Sequence, residues 1–209
     1  MEAFTTLVST AASLETVNVD TDQIIPGRFL NTPRSEGYGQ FLFRDLRFGE
    51  DGTERPGFVL NRPEYRDARI LVGNSNFGCG SSREGAVYAL LDYGFRCVIA
   101  PSFGDVFFNN ALRNGLLPVR IDGTQVASLR RIAFDAPCTS FTVDLVNQVV
   151  STPQTVPMHF AIDPLSKACL LQGMDDLAFT AQHRAEIDAF VQNYRAQHPW
   201  LVPADRSAP

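Results

Sequence analysis

The sequence is poor in lysine, histidine and cysteine, and it contains no long apolar run. It has 209 residues and a formal net charge of −5, which argues against wholesale binding to nucleic acid or an anionic membrane. Lys167 is the only lysine, a bias without functional weight. No uninterrupted apolar stretch reaches the roughly 18 residues of a membrane helix. The composition, 44% hydrophobic and 20% charged, is typical of a globular protein.

The few cysteines and histidines show no ligand spacing. The cysteines lie far apart without a CxxC pair, which favours reduced thiols in a cytoplasmic protein. The three histidines are scattered, so we expect no complete metal site from this chain alone. The segment Met1–Leu7 lacks the basic start of a secretory signal. The residues concerned are Cys79, Cys97, Cys138, Cys169, His159, His183 and His198.

The middle of the chain alternates between strand-like and helix-like patterns. This β-α-β-α-β order predicts an α/β fold with helices packed on a sheet. Gly94 and Gly115 are expected to end the two helices, and Ser102 to cap the second. The predicted strands cover 69–73, 96–100 and 116–121, and the predicted helices 82–93 and 102–114.

The C-terminal half is predicted to contain a hairpin and three helices. Residues 141–145 and 149–151 alternate in hydrophobicity and form the hairpin. The helices cover 124–133, 166–172 and 180–197, the last with Ile187, Phe190, Val191 and Tyr194 on one face. We expect one domain over 1–198, an irregular and functional segment at 31–66, and a loosely held tail at 199–209.

The segment Asn76–Glu84 carries the densest chemical signal. Its sequence, Asn-Phe-Gly-Cys-Gly-Ser-Ser-Arg-Glu, joins a predicted strand to a predicted helix. Gly78 and Gly80 allow the backbone to approach a ligand closely. The helix N-terminus favours an anion, and the guanidinium of Arg83 suits a carboxylate. Spacing alone also fits a capping box, with Ser81 as N-cap and Glu84 at the third helical position.

Three familiar glycine motifs do not fit this turn. A dinucleotide fingerprint requires a third glycine where Arg83 stands. A Walker loop requires a lysine where Ala86 stands. A hydrolase elbow requires a serine framed by glycines at G-x-S-x-G, and neither Ser81 nor Ser82 is framed so.

Seven segments of the sequence carry a common resemblance: 18–26, 76–84, 92–95, 98–103, 115–119, 175–176 and 182–183. Together they resemble the small subunits of bacterial 3-isopropylmalate dehydratase across nearly the whole chain. The resemblance implies an α/β fold of the swivelling β/β/α type found in the mobile domain of aconitase. It implies a large-subunit partner that carries a [4Fe-4S] cluster, with none bound by this chain. It also implies a dicarboxylate substrate, with isomerisation of 2- and 3-isopropylmalate by loss and return of water in leucine biosynthesis.

The resemblance also implies roles for individual residues. Ser81 would act as the base, as an alkoxide, stabilised by the helix-terminal amides, Ser82 and Arg83. Ser82 and Gly80 are also expected to bind substrate. Arg83 would grip a substrate carboxylate, and Asp22 matches an active-site aspartate. Two further arginines are expected to bind substrate: Arg34 lies near the loop arginine of relatives, and Arg28 stands one position after their lysine.

Two glycines depart from the pattern of relatives and leave other readings open. Gly85 stands where relatives have histidine, and Gly27 where they often have lysine. A related dehydratase acting on citraconate, methylmalate or dimethylmalate is therefore an alternative. A non-catalytic binding module of the same fold is another, although Ser81 and Arg83 are retained. A redox or metal-binding protein using Cys79 is a third.

Overall fold

A computed structural model describes residues 1–201, which contain two four-stranded sheets. The strands are β1 (Thr6–Ser9), β2 (Ala11–Ser13), β3 (Ile70–Val72), β4 (Cys97–Ala100), β5 (Leu117–Arg120), β6 (Phe141–Asp144), β7 (Val149–Ser151) and β8 (Met158–His159). The helices are α1 (Thr21–Ile24), α2 (Arg44–Arg47), α3 (Glu84–Tyr93), α4 (Asp105–Asn114), α5 (Gly123–Asp135), α6 (Pro164–Gln172), α7 (Asp176–Gln182) and α8 (Arg184–Gln197).

The first sheet is parallel, in the order β2-β3-β4-β5, and the predicted β-α-β-α-β unit is confirmed. Helix α3 connects β3 to β4 and α4 connects β4 to β5. Because parallel strands need a crossover, the helices have to lie against a face of this sheet. The second sheet is antiparallel, in the order β1-β6-β7-β8, and contains the predicted hairpin with Asp144 opposite Val149.

The core is divided by the parallel sheet, because successive side chains of a strand point to opposite faces. Leu71 and Val98 belong to a cluster with α3 and the irregular segment. Ile70 and Ile99, their chain neighbours, belong to a second cluster with the antiparallel sheet and α5. The layers are therefore sheet, sheet and helix, which agrees with the expected β/β/α class.

The irregular segment is ordered by short turns rather than by long elements. It contains α2 and the 3-10 turns Arg34–Glu36, Tyr38–Phe41, Val59–Asn61 and Pro63–Tyr65, and the 3-10 turn Gly27–Phe29 precedes it. Tyr65 is fully buried and its hydroxyl donates to the carbonyl of Ala133 in α5 at 3.0 Å. The segment thus has its own buried anchors, and its chain path depends on them.

The starts of α4 and α5 differ from the predictions. Helix α4 begins at Asp105 with Gly104 as N-cap, so Ser102 is not its cap. The Ser102 hydroxyl instead accepts a hydrogen bond from the amide of Asn76 at 2.8 Å. Helix α5 extends beyond the predicted 124–133, because Asp122 caps it by accepting from the amide of Thr124. Gly94 and Gly115 end α3 and α4 as predicted, both with positive φ.

The predicted continuous helix over 180–197 is wrong. The chain forms α7 and α8, which are separated by His183. The Asp175 side chain accepts from the amide of Ala178 at 2.7 Å and so starts α7 four residues earlier than predicted. Ile187, Phe190 and Tyr194 remain exposed on α8, which contains no buried residue. Of the predicted tail 199–209, residues 199–201 form a 3-10 turn and the rest lies outside the described residues.

Candidate active site

The glycine-rich turn lies between two other loops and is hydrogen-bonded to both. The amide of Phe77 donates to the carbonyl of Ser102 at 3.0 Å, and Gly104 donates to the carbonyl of Phe77 at 2.9 Å. On the other side, the amide of Gly78 donates to the carbonyl of Val19 at 2.7 Å. These backbone bonds hold the turn at the carboxyl end of β3, where α/β sheets usually bind ligands.

The two glycines of the turn have different reasons to be glycine. Both have positive φ, +71° at Gly78 and +95° at Gly80, which favours residues without a Cβ. A Cβ at Gly78 would lie 2.2 Å from the Phe107 ring, so Gly78 faces the core and not a ligand. At Gly80 the nearest heavy atoms would lie 3.4 Å away, and this residue is exposed. Of the two, only Gly80 can serve the close approach expected from the sequence.

The predicted capping box at α3 is wrong. Helix α3 begins at Glu84 with Arg83 as N-cap, and no side chain caps it. Arg83 has extended backbone, with φ −132° and ψ 103°, so the helix starts two residues later than Ser82. Glu84 is therefore the first helical residue, and its carboxylate accepts from the amide side chain of Asn114 at 3.0 Å. The first amides of α3 consequently remain without a side-chain cap, and the helix dipole favours an anion beside them.

Asp22 and Arg83, distant in sequence, form an ion pair. Helix α1 holds Asp22 because Asp20 and Gln23 form a capping box around its first turn. The Arg83 side chain is 21% exposed and that of Asp22 is 56% exposed, so the pair lies at the surface with the guanidinium more enclosed. A Cβ on Gly27 would lie 3.3 Å from a terminal nitrogen of Arg83, which places Gly27 beside the pair. The arrangement leaves a guanidinium fork beside an uncapped helix start, suited to a carboxylate.

Thr21 connects the two sides of the site. Its buried hydroxyl donates to the carbonyl of Ser81 at 2.9 Å, and its amide donates to the carbonyl of Cys79 at 2.9 Å. The hydroxyl groups of Ser81 and Ser82 belong to exposed residues. The backbone of Ser81 is therefore held while its side chain can meet a reactant from outside the chain.

Arg34, in the 3-10 turn Arg34–Glu36, packs against helix α3. Its guanidinium stacks on the Tyr88 ring, with 3.7 Å between the guanidinium carbon and the ring centroid. It also lies 3.7 Å from a carboxylate oxygen of Asp92. Arg34 thus belongs to a contact between the irregular segment and α3, and its expected role in substrate binding stays a prediction.

Arg28 is engaged away from the turn. It forms two hydrogen bonds with the carboxylate of Asp45, which hold the pKa of that carboxyl below its ordinary value. It lines a cleft of about 510 Å³ together with Asp45 and Phe48, and neither Ser81 nor Arg83 contributes to that cleft. The expectation that Arg28 binds substrate stays a prediction.

Residues 1–201 contain no group of three or more His, Cys, Asp or Glu side chains arranged to hold a metal ion. The four cysteines are free, and burial raises the pKa of the Cys97 thiol. In the same residues, no helix is both long and apolar enough to cross a membrane. The features of the site described above, the Arg83 guanidinium and the uncapped start of α3, suit an anion.

Sequence reasoning did not single out Thr21 or the position of Gly27. Thr21 lies inside the Asn18–Pro26 segment that carried part of the resemblance, but nothing in its local pattern indicates a bond sixty residues away. Gly27 stood out only because relatives often have lysine there. A threonine between two aspartates, Asp20 and Asp22, is a weak signal that becomes informative only once the turn is in place.

Comparisons with known proteins identify the family of the chain. Residues 1–124 match the family model described as the aconitase C-terminal domain. The chain is 49% identical to the 3-isopropylmalate dehydratase small subunit of Paramagnetospirillum magneticum, covering 96% of this chain and 100% of that protein. It is 48% identical to the small subunit of Afipia carboxidovorans, with the same coverage.

The fold also resembles a solved structure. The crystal structure of 3-isopropylmalate dehydratase from Methanocaldococcus jannaschii matches with a TM-score of 0.62 and 24% identity, covering 88% of this chain and 98% of that one. At that identity the match supports the fold alone. From the family model and the near-full-length relatives, the chain belongs to the family of 3-isopropylmalate dehydratase small subunits, within the aconitase C-terminal domain family.

Proposed function

We propose that this chain is the small subunit of a cytoplasmic hydro-lyase that isomerises 2-isopropylmalate and 3-isopropylmalate in leucine biosynthesis. The observation that carries the proposal is near-full-length similarity to small subunits of that name, together with the Asp22–Arg83 pair beside the uncapped start of α3. The net charge of −5 also favours a small-molecule substrate over nucleic acid.

Arg83 would bind one carboxylate of the substrate. A guanidinium fork can donate two parallel hydrogen bonds to a carboxylate. Asp22 accepts from a terminal nitrogen of Arg83 and so orients the fork. The uncapped amides of α3 add donors and the positive end of the helix dipole. Gly80 gives the ligand access to this backbone because it carries no Cβ.

Ser81 would move the proton. Dehydration requires a base that removes a proton from the carbon next to a carboxylate, while hydroxide leaves the neighbouring carbon, and the two combine as water. Return of water in the opposite sense exchanges the hydroxyl between the two carbons. A serine is a weak base unless its alkoxide is stabilised, and the neighbouring guanidinium, Ser82 and the helix amides offer that stabilisation.

The site requires a second chain. Asp22, Ser81 and Ser82 are exposed, so nothing in residues 1–201 closes the site over a substrate or excludes water from it. A Lewis acid for the leaving hydroxyl, which the resemblance assigns to a [4Fe-4S] cluster in the large subunit, would come from that chain. We therefore propose that activity requires the large subunit.

The test is reconstitution with the large subunit. The chain is co-expressed with candidate large subunits, the complex is reconstituted anaerobically with iron and sulfide, and 2-isopropylmalate, 2-methylmalate, citraconate and dimethylmalate are compared. The proposal expects the highest kcat/KM with 2-isopropylmalate and no turnover by the isolated chain. A clear preference for another diacid would keep the reaction class but refute the substrate.

The role of Ser81 has its own variant. Ser81→Ala in the complex is expected to lower kcat by about 10³-fold, because general-base catalysis contributes about 10²–10⁴-fold. Ser140→Ala, at an exposed serine that precedes β6 in the other sheet, is the matched control and should leave the rate unchanged. Full activity of Ser81→Ala would refute the role.

The carboxylate clamp is tested by Arg83→Lys. The variant keeps the charge and loses the fork, so kcat/KM should fall roughly 10- to 100-fold. Arg184→Lys on α8, where Arg184 pairs with Asp188, is the control. Equal losses in both variants would indicate a general effect of replacing arginine and would contradict the clamp.

A further inference from the structure

Gly85, in the first turn of α3, is glycine for reasons of space. Its backbone is ordinary helix, so no unusual φ demands glycine there. Glycine weakens a helix relative to alanine, which makes a buried glycine at this position informative. A Cβ at Gly85 would lie 2.6 Å from a terminal methyl of Leu30, 3.4 Å from the Tyr38 ring and 3.8 Å from Ile25. The missing side chain forms a notch on α3 that seats Leu30.

Leu30 and Tyr38 are themselves tied together. The Tyr38 hydroxyl lies 2.8 Å from the carbonyl of Thr32 and 3.3 Å from the carbonyl of Leu30. The amide of Tyr38 donates to the Asp92 carboxylate of α3 at 2.9 Å. Residues 30–38 thus form a closed loop, whose two end residues, Leu30 and Tyr38, both lie beside Gly85, while Asp92 holds the amide of Tyr38 further along α3.

The same loop begins next to the candidate active site. Gly27 lies beside the Asp22–Arg83 pair, and the turn Gly27–Phe29 leads directly into Leu30, whose amide donates to the carbonyl of Gly27 at 3.2 Å. Gly85 follows Arg83 by two residues. Leu30 therefore lies three residues after the glycine that borders the carboxylate clamp, and the notch at Gly85 fixes where its side chain packs on α3.

We propose that Gly85 is a positioning residue for substrate specificity: its notch holds Leu30 back and leaves room beside Arg83 for the branched alkyl group of a 2-alkylmalate. This inference rests on the proposed function and deepens it. A Cβ at Gly85 moves the flexible end of Leu30 and no backbone, so the fold is retained. The displaced Leu30 takes space from the larger alkyl groups and leaves smaller ones unaffected.

The test compares two substrates in the reconstituted complex. The ratio of kcat/KM for 2-isopropylmalate to that for 2-methylmalate is measured for the wild type, Gly85→Ala, Leu30→Ala and the double variant. Gly85→Ala is expected to lower the ratio about tenfold, the discrimination that one or two methyl groups give in an apolar pocket. The double variant should restore it, because truncation of Leu30 removes the collision.

The control is Gly57→Ala, in the same irregular segment. Gly57 has an ordinary φ, and no atom lies within 4 Å of where its Cβ would be. The ratio should stay at the wild-type value. A purely structural glycine would not change the ratio. The inference is therefore overturned if Gly85→Ala lowers kcat/KM equally for both substrates, or if adding Leu30→Ala does not restore the ratio.

A second readout does not depend on activity. Amide hydrogen exchange at residues 30–38 should become faster in Gly85→Ala than in the wild type and stay unchanged in Gly57→Ala. An inactive wild-type complex would refute the proposed function, and exchange would then decide by itself whether Gly85 seats the loop. Unchanged exchange in Gly85→Ala would overturn the inference.

Discussion

The two sides of the candidate site are held in different ways. The side formed by residues 76–83 is a turn between β3 and α3, fixed by backbone hydrogen bonds and by a glycine that admits no side chain. The side formed by residues 20–39 contains one short helix and 3-10 turns, and side-chain contacts hold it against α3. We expect the turn side to be the more rigid, because closely packed atoms repel strongly when they are displaced. The loop side can shift more easily, because each of its hydrogen bonds contributes little free energy.

This difference suits a site in which the turn side performs the chemistry and the loop side recognises the alkyl group of the substrate. A base and a carboxylate clamp need fixed geometry, because small misplacements cost rate. Recognition of an alkyl group needs only an apolar surface at a suitable distance. Substitutions on the turn side should therefore cost more than equivalent substitutions on the loop side.

The largest effect is expected for Gly78→Ala on the turn side. The residue has φ +71° and its Cβ would lie 2.2 Å from the Phe107 ring, which belongs to the core. The backbone penalty and the overpacking together should lower the free energy of unfolding by about 2–4 kcal/mol. Urea denaturation measures it, with Gly57→Ala as control. A loss no larger than that of the control would contradict a rigid turn.

The next effect concerns the bond that joins the two sides. Thr21→Val keeps the shape and removes the hydroxyl that donates to the Ser81 carbonyl at 2.9 Å. Because a buried donor is lost and its acceptor loses a partner, the cost should be about 1–2 kcal/mol, with a fall in kcat of the complex. Thr21→Ser keeps the hydroxyl and should retain most of the stability and most of the kcat. If Thr21→Ser loses as much as Thr21→Val, packing and not the bond is responsible.

A smaller effect is expected for Tyr38→Phe on the loop side. The variant loses the hydroxyl bond to the carbonyl of Thr32 and keeps the ring contacts with Tyr88 and Phe41. The cost should be about 1 kcal/mol, with faster amide exchange at residues 30–38. Tyr194→Phe on α8 is the control, since that ring is exposed. A cost above that of Gly78→Ala would reverse the comparison between the two sides.

The smallest effect is the pH dependence of the Arg28–Asp45 pair. The bonds from Arg28 lower the pKa of Asp45 in the folded protein, so the folded state favours the charged carboxylate. The stabilisation is present above the ordinary aspartate pKa, 3.8, and is lost as pH falls through the lower folded value. The thermal midpoint of Asp45→Asn should therefore lie slightly below the wild type at pH 6, and the two should converge in acid. A difference between the two thermal midpoints that grows as the pH falls would contradict a lowered pKa of Asp45.

The elements predicted best are those with a strong period and clear punctuation. Strands β3 and β4 are continuous apolar runs, β5 is apolar up to the exposed Arg120, and Gly94 and Gly115 end α3 and α4 as expected. The hairpin of β6 and β7 followed from alternation. These signals are local, so the sequence carries them without knowledge of the rest of the chain.

The elements predicted wrongly depend on partners distant in sequence. Ser102 and Ser81 are each placed in the sequence like an N-cap. In the structure, Ser102 accepts a hydrogen bond from Asn76, and Glu84, the expected partner of Ser81 in a capping box, accepts one from Asn114. A serine before a helix satisfies several patterns equally well, and the tertiary contacts select one. The helix predicted over 180–197 is two helices in the structure: Asp175 starts α7 earlier than expected, and α7 ends at His183 before α8 begins.

The sequence by itself determined the class of the protein, the position of its glycine-serine-arginine turn and the residue types available for chemistry, because periodicity and glycine placement act over a few residues. Only the tertiary structure decided that Asp22 pairs with Arg83, that Thr21 holds Ser81, and that Gly85 seats Leu30. Each of these contacts joins segments about sixty residues apart. Such contacts depend on how residues 20–39 pack against the turn 76–83 and α3, which no local pattern encodes.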